Sequence, residues 1–178
     1  VGGWRCGPDL EMFASRFTAL LDACVAAGAL KRNVLLSLAA AGFFRPSWSA
    51  RILSDTENAI ARMLADKGVS DAQSVARRQI AAMEAAFADA RVEDFERLFP
   101  RLEGLPDVND AHVIAAAVKA QASVIVTDNL RDYPTRIMKA HGVEAKSADA
   151  FIADTLDLDM GRGVAALRVM RLRLKRPF

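Results

Sequence analysis

Residues 107–129 read DVNDAHVIAAAVKAQASVIVTDN, and this stretch decides the fold class. Its first part is apolar and alanine-rich after residue 110, which predicts a buried helix. Its second part, residues 123–129, is a β-branched run that predicts a strand ending in acid and amide side chains. A helix that leads directly into a buried strand is typical of an α/β domain with a parallel sheet.

The same alternation of strands and helices extends over the rest of the chain. Further strands are predicted at residues 17–21, 90–95 and 142–146, and residues 43–48 are predicted to be a short strand or a connector. Further helices are predicted at residues 29–42, 50–68, 70–90 and 147–156, with caps at Ser47 or Ser49, Ser70 and Ser147. We therefore expect an α/β fold with a mainly parallel sheet, followed by C-terminal helical structure.

Composition narrows the class of protein. The chain has 178 residues, 52% of them hydrophobic, and a formal charge of +2, so the overall charge does not indicate a nucleic-acid binder. Cys6 and Cys24 are the only cysteines and neither lies in a CxxC motif, which argues against a zinc site or a disulfide framework and fits a reducing cytoplasm. No apolar run is long enough to span a membrane, so we expect no membrane association.

Composition also suggests how the chain is divided. Residues 1–11 are expected to be an N-terminal extension, with Met12 as the natural start. Residues 12–156 are expected to form one α/β domain, and residues 157–178 a basic C-terminal helix. This last segment interleaves apolar residues with Arg168, Arg171, Arg173, Lys175 and Arg176, so part of it must pack on another surface.

Acids from distant parts of the chain are predicted to meet at one edge of the sheet. Asp22 ends the first strand, and residues 127–132 follow the strongest later strand. Asp110 starts the helix that feeds this later strand, so it can reach the same edge. The carboxyl ends of parallel strands form the usual ligand-binding edge of such a sheet.

Clustered carboxylates repel one another unless a cation lies among them. Mg²⁺ and Mn²⁺ prefer oxygen ligands, and such a metal can activate water for attack on a phosphodiester. The acid pattern therefore predicts a divalent-metal site suited to hydrolysis of a phosphodiester. An aspartyl phosphatase is disfavoured because Ala23 and Cys24 follow Asp22, without a second acid two residues on.

Four segments carry a resemblance to a known family. They are LLDACV, WSARILSDTENAI, DVNDAHVIAAAVKAQASVIVTDNLRDYP and ALRVMRLRLKRP. Together they resemble PIN-domain proteins, and more narrowly VapC-type toxin ribonucleases with an extra C-terminal helical segment. The resemblance implies a three-layer α/β/α fold, a Mg²⁺- or Mn²⁺-dependent endoribonuclease, a cognate antitoxin and a homodimer.

The resemblance also assigns roles by position. It implies metal ligands at Asp22, Asp110, Asp132 and Asn129, with Thr127 as the small hydroxyl residue before them. Asp128 is expected to point elsewhere because neighbouring strand residues alternate in direction. Arg51 and Arg131 flank the acids and are candidate RNA-backbone contacts.

The family usually has a second acidic site residue, a glutamate, on the helix that follows WS. At this position the chain departs from the family pattern. Asp55 fits the spacing best, and Glu57 lies two residues further along the same predicted helix. Residues two apart on a helix point about 200° away from each other, so both cannot face one metal equally well. Asp55 is preferred and Glu57 stays a candidate.

Several residues also have simpler structural interpretations. Asp110 could be a helix N-cap, Asp107 a loop or capping residue, and His112 a packing or hydrogen-bonding histidine. Trp48 and Tyr133 could stack on a base, although core packing is favoured for Trp48. The basic C-terminal helix could contact RNA phosphates, bind the antitoxin or form a solvated face.

Two other functions remain open at this point. One is a housekeeping RNA-processing nuclease of the same fold. The other is a catalytically inactive module that binds RNA or a partner, because the departure at residues 55–57 and the amide at Asn129 could reflect lost catalysis.

Overall fold

The structure is a computed structural model that describes residues 17–101 and 108–174. The predictions made for the N-terminal extension at residues 1–11, for Met12 and for Asp107 lie outside these residues. Those made for Lys175 and Arg176 lie outside them as well.

Five parallel strands form one sheet in the order β3-β2-β1-β4-β5, which confirms the predicted parallel α/β fold. The strands are β1 Thr18–Leu21, β2 Arg45–Ser49, β3 Arg91–Val92, β4 Val124–Val126 and β5 Glu144–Lys146. The chain moves outward on one side from β1 to β3 and then crosses to β4 on the other side. Because parallel crossovers are right-handed, this reversal places helices on both faces of the sheet and gives three layers.

The helices occupy the intervals predicted from the sequence, with two additions. They are α1 Ala23–Ala27, α2 Ala29–Ala40, α3 Ala50–Asp66, α4 Ala72–Ala86, α5 Ala111–Lys119, α6 Thr135–Ala140, α7 Ala148–Leu158 and α8 Met160–Leu174. The short helices α1 and α6 have too few turns to give a periodic signal in the sequence. Within the described ranges, no helix is long and apolar enough to cross a membrane.

Capping residues explain where several helices begin. The Ser49 hydroxyl accepts the Ile52 amide at 3.2 Å and starts α3, and the Ser147 hydroxyl accepts the Ala150 amide at 3.2 Å and starts α7. The prediction that Ser70 caps α4 is wrong, because Asp71 occupies the N-cap position. Ser70 lies instead in the turn that follows Gly68, whose φ of +80° closes α3.

The two C-terminal helices pack back onto α2. The Arg162 side chain donates to the Ala41 carbonyl at the end of α2, and Arg173 donates to the Ser37 hydroxyl at 3.2 Å. Arg173 is therefore directed at α2 and is not part of a solvated basic face. Val169 and Leu172 remain about two-thirds exposed (65% and 66%), so the apolar residues of α8 do not all face the domain.

A buried guanidinium holds α1 against its neighbours. Arg32, only 5% exposed, donates to the Ala26 carbonyl at 2.7 Å and the Ala27 carbonyl at 2.9 Å, and it also contacts the Gln79 amide oxygen. The carbonyls at the end of a helix lack intrahelical partners, so Arg32 caps α1 while tying it to α4. Because α1 directly follows Asp22, this cap also fixes the start of the candidate site.

Replacing Arg32 with leucine should lower the free energy of unfolding by about 2–4 kcal/mol, because buried carbonyl oxygens lose their donor. Urea denaturation would measure the change. The matched control is Lys31→Met on the same helix, whose exposed ion pair with Asp128 should contribute less than about 1 kcal/mol. Equal effects of the two substitutions would contradict the capping role.

Candidate active site

The carboxyl ends of β1 and β4 lie side by side at the centre of the sheet. The Asp22 amide donates to the Val126 carbonyl at 3.0 Å and continues the pairing of these strands. The chain reverses its direction of winding between β1 and β4, which makes this the topological switch point where open α/β sheets bind ligands. Asp22 and Thr127, the residues that directly follow the two strands, define the candidate site.

Hydroxyl and thiol groups surround one oxygen of the Asp22 carboxylate, which is 8% exposed. Its Oδ2 accepts the Thr127 hydroxyl at 2.7 Å, and the Tyr133 hydroxyl lies at 3.4 Å. The Cys24 thiol lies 3.3 Å from the same oxygen and 3.3 Å from the Thr127 hydroxyl. Four side chains, from the residue after β1, from α1 and from the segment after β4, therefore form one polar network.

The direction of the central hydrogen bond is fixed by the backbone. The Asn129 amide donates to the Thr127 hydroxyl oxygen at 3.1 Å. That oxygen therefore acts as an acceptor toward Asn129, and its own proton is available for Asp22 Oδ2. Bonds to a carboxylate are stronger than those between neutral groups, so Thr127 holds Asp22 in one orientation.

Asp22 also has a structural role. Its Oδ1 accepts the Ala23 amide at 2.7 Å as the N-cap of α1. Within the part of the chain that the structure describes, no lysine or arginine forms an ion pair with this carboxylate. A buried carboxylate that has hydrogen-bond donors but no cationic partner is suited to binding a cation.

The Tyr133 phenol is affected by the charges of two carboxylates. Burial raises the pKa of the Tyr133 phenol, and the charges of Asp22 and then Asp110 raise it further. Both carboxylates thus lie within electrostatic range of one hydroxyl, although they are far apart in sequence. Tyr133 is 3% exposed, so the prediction that it stacks on a base is wrong.

Asp110 stands where a short 3₁₀ turn, Val108–Asp110, becomes α5. It is half-buried, occupies the N-cap position and makes no side-chain capping hydrogen bond. Capping by its side chain therefore does not explain the acid at this position.

The structure separates the two candidates for the second acid. Asp55 Oδ2 lies 3.8 Å from His112 Nε2, and the pKa of His112 responds to the charges of both Asp55 and Asp22. Glu57 instead accepts the Gln73 amide at 2.5 Å and faces Arg77 at 3.7 Å. Asp55 thus approaches the candidate site, whereas Glu57 faces α4.

His112 is a buried side chain at this edge. Burial lowers its pKa, as does the positive charge of Arg51. Both effects favour the neutral ring. Its Nδ1 has no hydrogen-bond partner among the described residues, and its packing beside α3 explains its burial.

Other predicted site residues follow β4. Asn129 is exposed and Asp132 is half-buried in the 3₁₀ turn Leu130–Asp132. Asp128 pairs with Lys31 at 2.6 Å and accepts the Ala148 amide at 3.3 Å, so it points toward α2 and α7, as the strand alternation indicated. The candidate RNA contacts Arg51 and Arg131 are both exposed.

The carboxylate and hydroxyl oxygens around Asp22 are the type of ligand that a hard divalent cation prefers. The described residues do not, however, form a complete set of ligands. Among the described residues, no three His, Cys, Asp or Glu side chains are close enough to form a metal site by themselves. Mg²⁺ does not require such a cage, because it is often held by one or two carboxylates, waters and substrate phosphates. Asp22 and Asp110 are carboxylates of the kind that such a site uses.

Cys24 and the hydroxyl of Tyr133 were missed as parts of the Asp22 network. Burial raises the pKa of the Cys24 thiol, and the Asp22 charge raises it further, so the thiol stays protonated at neutral pH. Cys24 is two residues from Asp22, and Tyr133 is the only tyrosine of the chain. The nearness of Cys24 to Asp22 in sequence and the single tyrosine were the only features that could have indicated these roles. Whether the side chains contact Asp22 depends on tertiary packing.

Comparisons with known proteins identify similar sequences. A family model described as "PIN domain" matches residues 18–131, and one described as "VapC50 C-terminal domain" matches residues 148–177. A segment of 49 residues is 47% identical to "Putative ribonuclease VapC50" of Mycobacterium tuberculosis. This match spans 28% of the chain and 29% of that protein, so it covers less than a third of either. No solved structure gives a significant match.

Replacing Thr127 with valine should lower the free energy of unfolding by about 1.5–3 kcal/mol, because a buried bond to a carboxylate is lost. Thr127→Ser keeps the hydroxyl and should lose less than half as much. Urea denaturation of both variants would measure this difference. If valine and serine destabilise equally, packing of the methyl group and not the hydrogen bond is what matters at this position.

Proposed function

Because the chain belongs to the PIN-domain family, we propose that it is a Mg²⁺- or Mn²⁺-dependent endoribonuclease that acts as the toxin of a type II toxin–antitoxin system. The observation that carries the proposal is the buried Asp22 carboxylate at the switch point, which has four donors but, among residues 17–101 and 108–174, no cationic partner. Further support comes from Asp55, whose carboxylate lies 3.8 Å from His112 Nε2, since His112 is two residues after Asp110 at the start of α5. The printed name of the mycobacterial relative supports ribonuclease activity.

In this proposal Asp22 and Asp110 hold the divalent ion, and Asp132 and Asn129 contribute from the turn after β4. When bound, the ion would supply water activation and stabilise charge on the phosphodiester. Thr127 orients Asp22 through its short hydrogen bond at 2.7 Å. Arg51 and Arg131 contact RNA phosphates beside the acids.

Asp55 is the second acid in this proposal. Its carboxylate lies beside His112, whereas the Glu57 carboxylate is held by Gln73 and Arg77 on α4. The side chain of Asp55 is one methylene shorter than that of glutamate, so we propose that it acts through a water molecule.

The toxin assignment includes a protein partner and a homodimer. Its support is the C-terminal segment, whose family model carries the name of a VapC protein. On α8, exposed Val169 and Leu172 lie beside exposed Arg168 and Arg171. Apolar side chains mixed with arginine are typical of protein interfaces, so we propose that the antitoxin covers this face in a reducing cytoplasm. Residues 157–178 are proposed to form the C-terminal unit that carries it.

Two rival functions make different predictions. A housekeeping nuclease of the same fold would cut RNA without arresting growth when expressed alone. An inactive binding module would neither cut RNA nor need a metal ion. Growth after expression and calorimetric titration with Mn²⁺ separate these alternatives from the proposed toxin.

Asp110→Asn should reduce RNA cleavage on the order of 10²-fold or more, because the site loses an ionised group that stabilises the cation. Cleavage of a labelled RNA with Mn²⁺ would be measured, with a chelator expected to abolish it. Thermal stability should be similar or higher, since repulsion between carboxylates is relieved. The control, Asp128→Asn, removes an adjacent acid that pairs with Lys31 and should keep activity. Full activity of Asp110→Asn would refute the assignment.

Asp55→Asn should lower the cleavage rate, while Glu57→Gln should leave it within about twofold of the original, because only Asp55 approaches the candidate site. The two substitutions are matched, since each replaces one carboxylate on α3 with an amide. Initial rates at saturating Mn²⁺ would be compared. The reverse order of effects would identify Glu57 as the second acid.

A further inference from the structure

The outer side of α3 carries a row of polar residues that begins beside the candidate site. Arg51, Asp55, Asn58 and Arg62 are spaced by four, three and four residues, which places them on one face of the helix. We call this row the α3 stripe. All four side chains are exposed. Asp55 lies 3.8 Å from His112 Nε2 at one end of the row, and Arg62 stands about 10 Å further along the helix axis.

The stripe borders an open groove between α3 and α4. The groove has a volume of about 760 Å³ and is lined by Asp55, Asn58, Ala61, Arg62, Ala65, Ala72 and Gln73. Its small alanine side chains leave room for a flat or narrow ligand. The amides of Asn58 and Gln73 add donors and acceptors that can meet a base or a ribose.

The positive charge of Arg62 is uncompensated. Two nearby carboxylates face other arginines, Glu57 with Arg77 at 3.7 Å and Asp71 with Arg78 at 3.7 Å. Across residues 17–101 and 108–174, no carboxylate lies within ion-pair distance of Arg62. An exposed guanidinium of this kind is a suitable contact for a phosphate.

We propose that the groove between α3 and α4 binds single-stranded RNA next to the cleavage position, with Arg62 contacting a backbone phosphate. This inference rests on the proposed ribonuclease function. The separation of about 10 Å between Asp55 and Arg62 excludes contact with the same phosphate, so Arg62 meets a neighbouring nucleotide. The exposed guanidinium of Arg62, which suits a phosphate, and the continuity of the groove with Asp55 favour RNA over a protein segment as the occupant.

The inference is tested by RNA binding in the Asp110→Asn background, in which cleavage is suppressed. Fluorescence anisotropy of a short unstructured RNA would be measured in Mg²⁺ over a range of salt concentrations. Adding Arg62→Ala should weaken binding about three- to tenfold and reduce the slope of log affinity against log salt by about 0.7, the value for one phosphate contact on a single strand. The thermal midpoint should not change, because Arg62 is exposed.

The matched control is Arg78→Ala in the same background. Arg78 is an exposed arginine on α4 that is bound to Ser74 and Asp71 and does not line the groove. It should leave affinity within about twofold, apart from the small effect of overall charge. Equal effects of Arg62→Ala and Arg78→Ala would overturn the inference, as would unchanged RNA affinity, the result expected if a protein segment occupies the groove.

Cleavage by the unmodified chain separates this inference from the proposed function. If that chain does not cut RNA while binding still depends on Arg62, the nuclease proposal fails and the groove assignment stands. If it cuts RNA and Arg62→Ala changes neither the KM nor the binding affinity, the nuclease proposal stands and the groove assignment fails. A rise in KM with little change in kcat would support both.

Discussion

The hydrogen bond from Thr127 to Asp22 is the interaction on which the site depends. It joins the ends of β1 and β4, the two strands that flank the reversal of the sheet. The backbone amide of Asn129 fixes the direction of this bond, and the Arg32 cap holds the helix that follows Asp22. A buried carboxylate costs free energy unless it is hydrogen-bonded or paired. The fold satisfies Asp22 with donors alone, which leaves its negative charge available to a cation.

Helix geometry determines which neighbours the side chains of α3 contact. The 100° step between residues turns Glu57 toward α4 and leaves Asp55 on the same face as Arg51, Asn58 and Arg62. One side of the helix therefore stabilises the α3–α4 pair through Glu57, Gln73 and Arg77. Another side presents an acid to the candidate site and an arginine to the neighbouring groove. The proposed substrate path thus follows directly from residue spacing on one helix.

The C-terminal helices show how one basic segment serves two purposes. Arg162 and Arg173 are bound to α2, so these cations fasten α8 to the domain. Arg168 and Arg171 remain exposed beside Val169 and Leu172. The charge pattern alone did not distinguish these roles, because alternating arginine and apolar residues lie on several faces of the helix. Packing against α2 selected which arginines became structural.

The sequence by itself determined the parallel α/β fold, the strand ends that carry Asp22 and residues 127–132, and the resemblance to the PIN family. These features are local, since strand periodicity, helix caps and motif spacing can be recognised within short continuous segments. Only the tertiary structure decided that Tyr133 and Cys24 join Asp22, that Glu57 faces α4 and that Ser70 does not cap its helix. Each of these outcomes depends on contacts between elements that the chain brings together from a distance. Periodicity within one segment carries no information about which neighbour its side chains will meet.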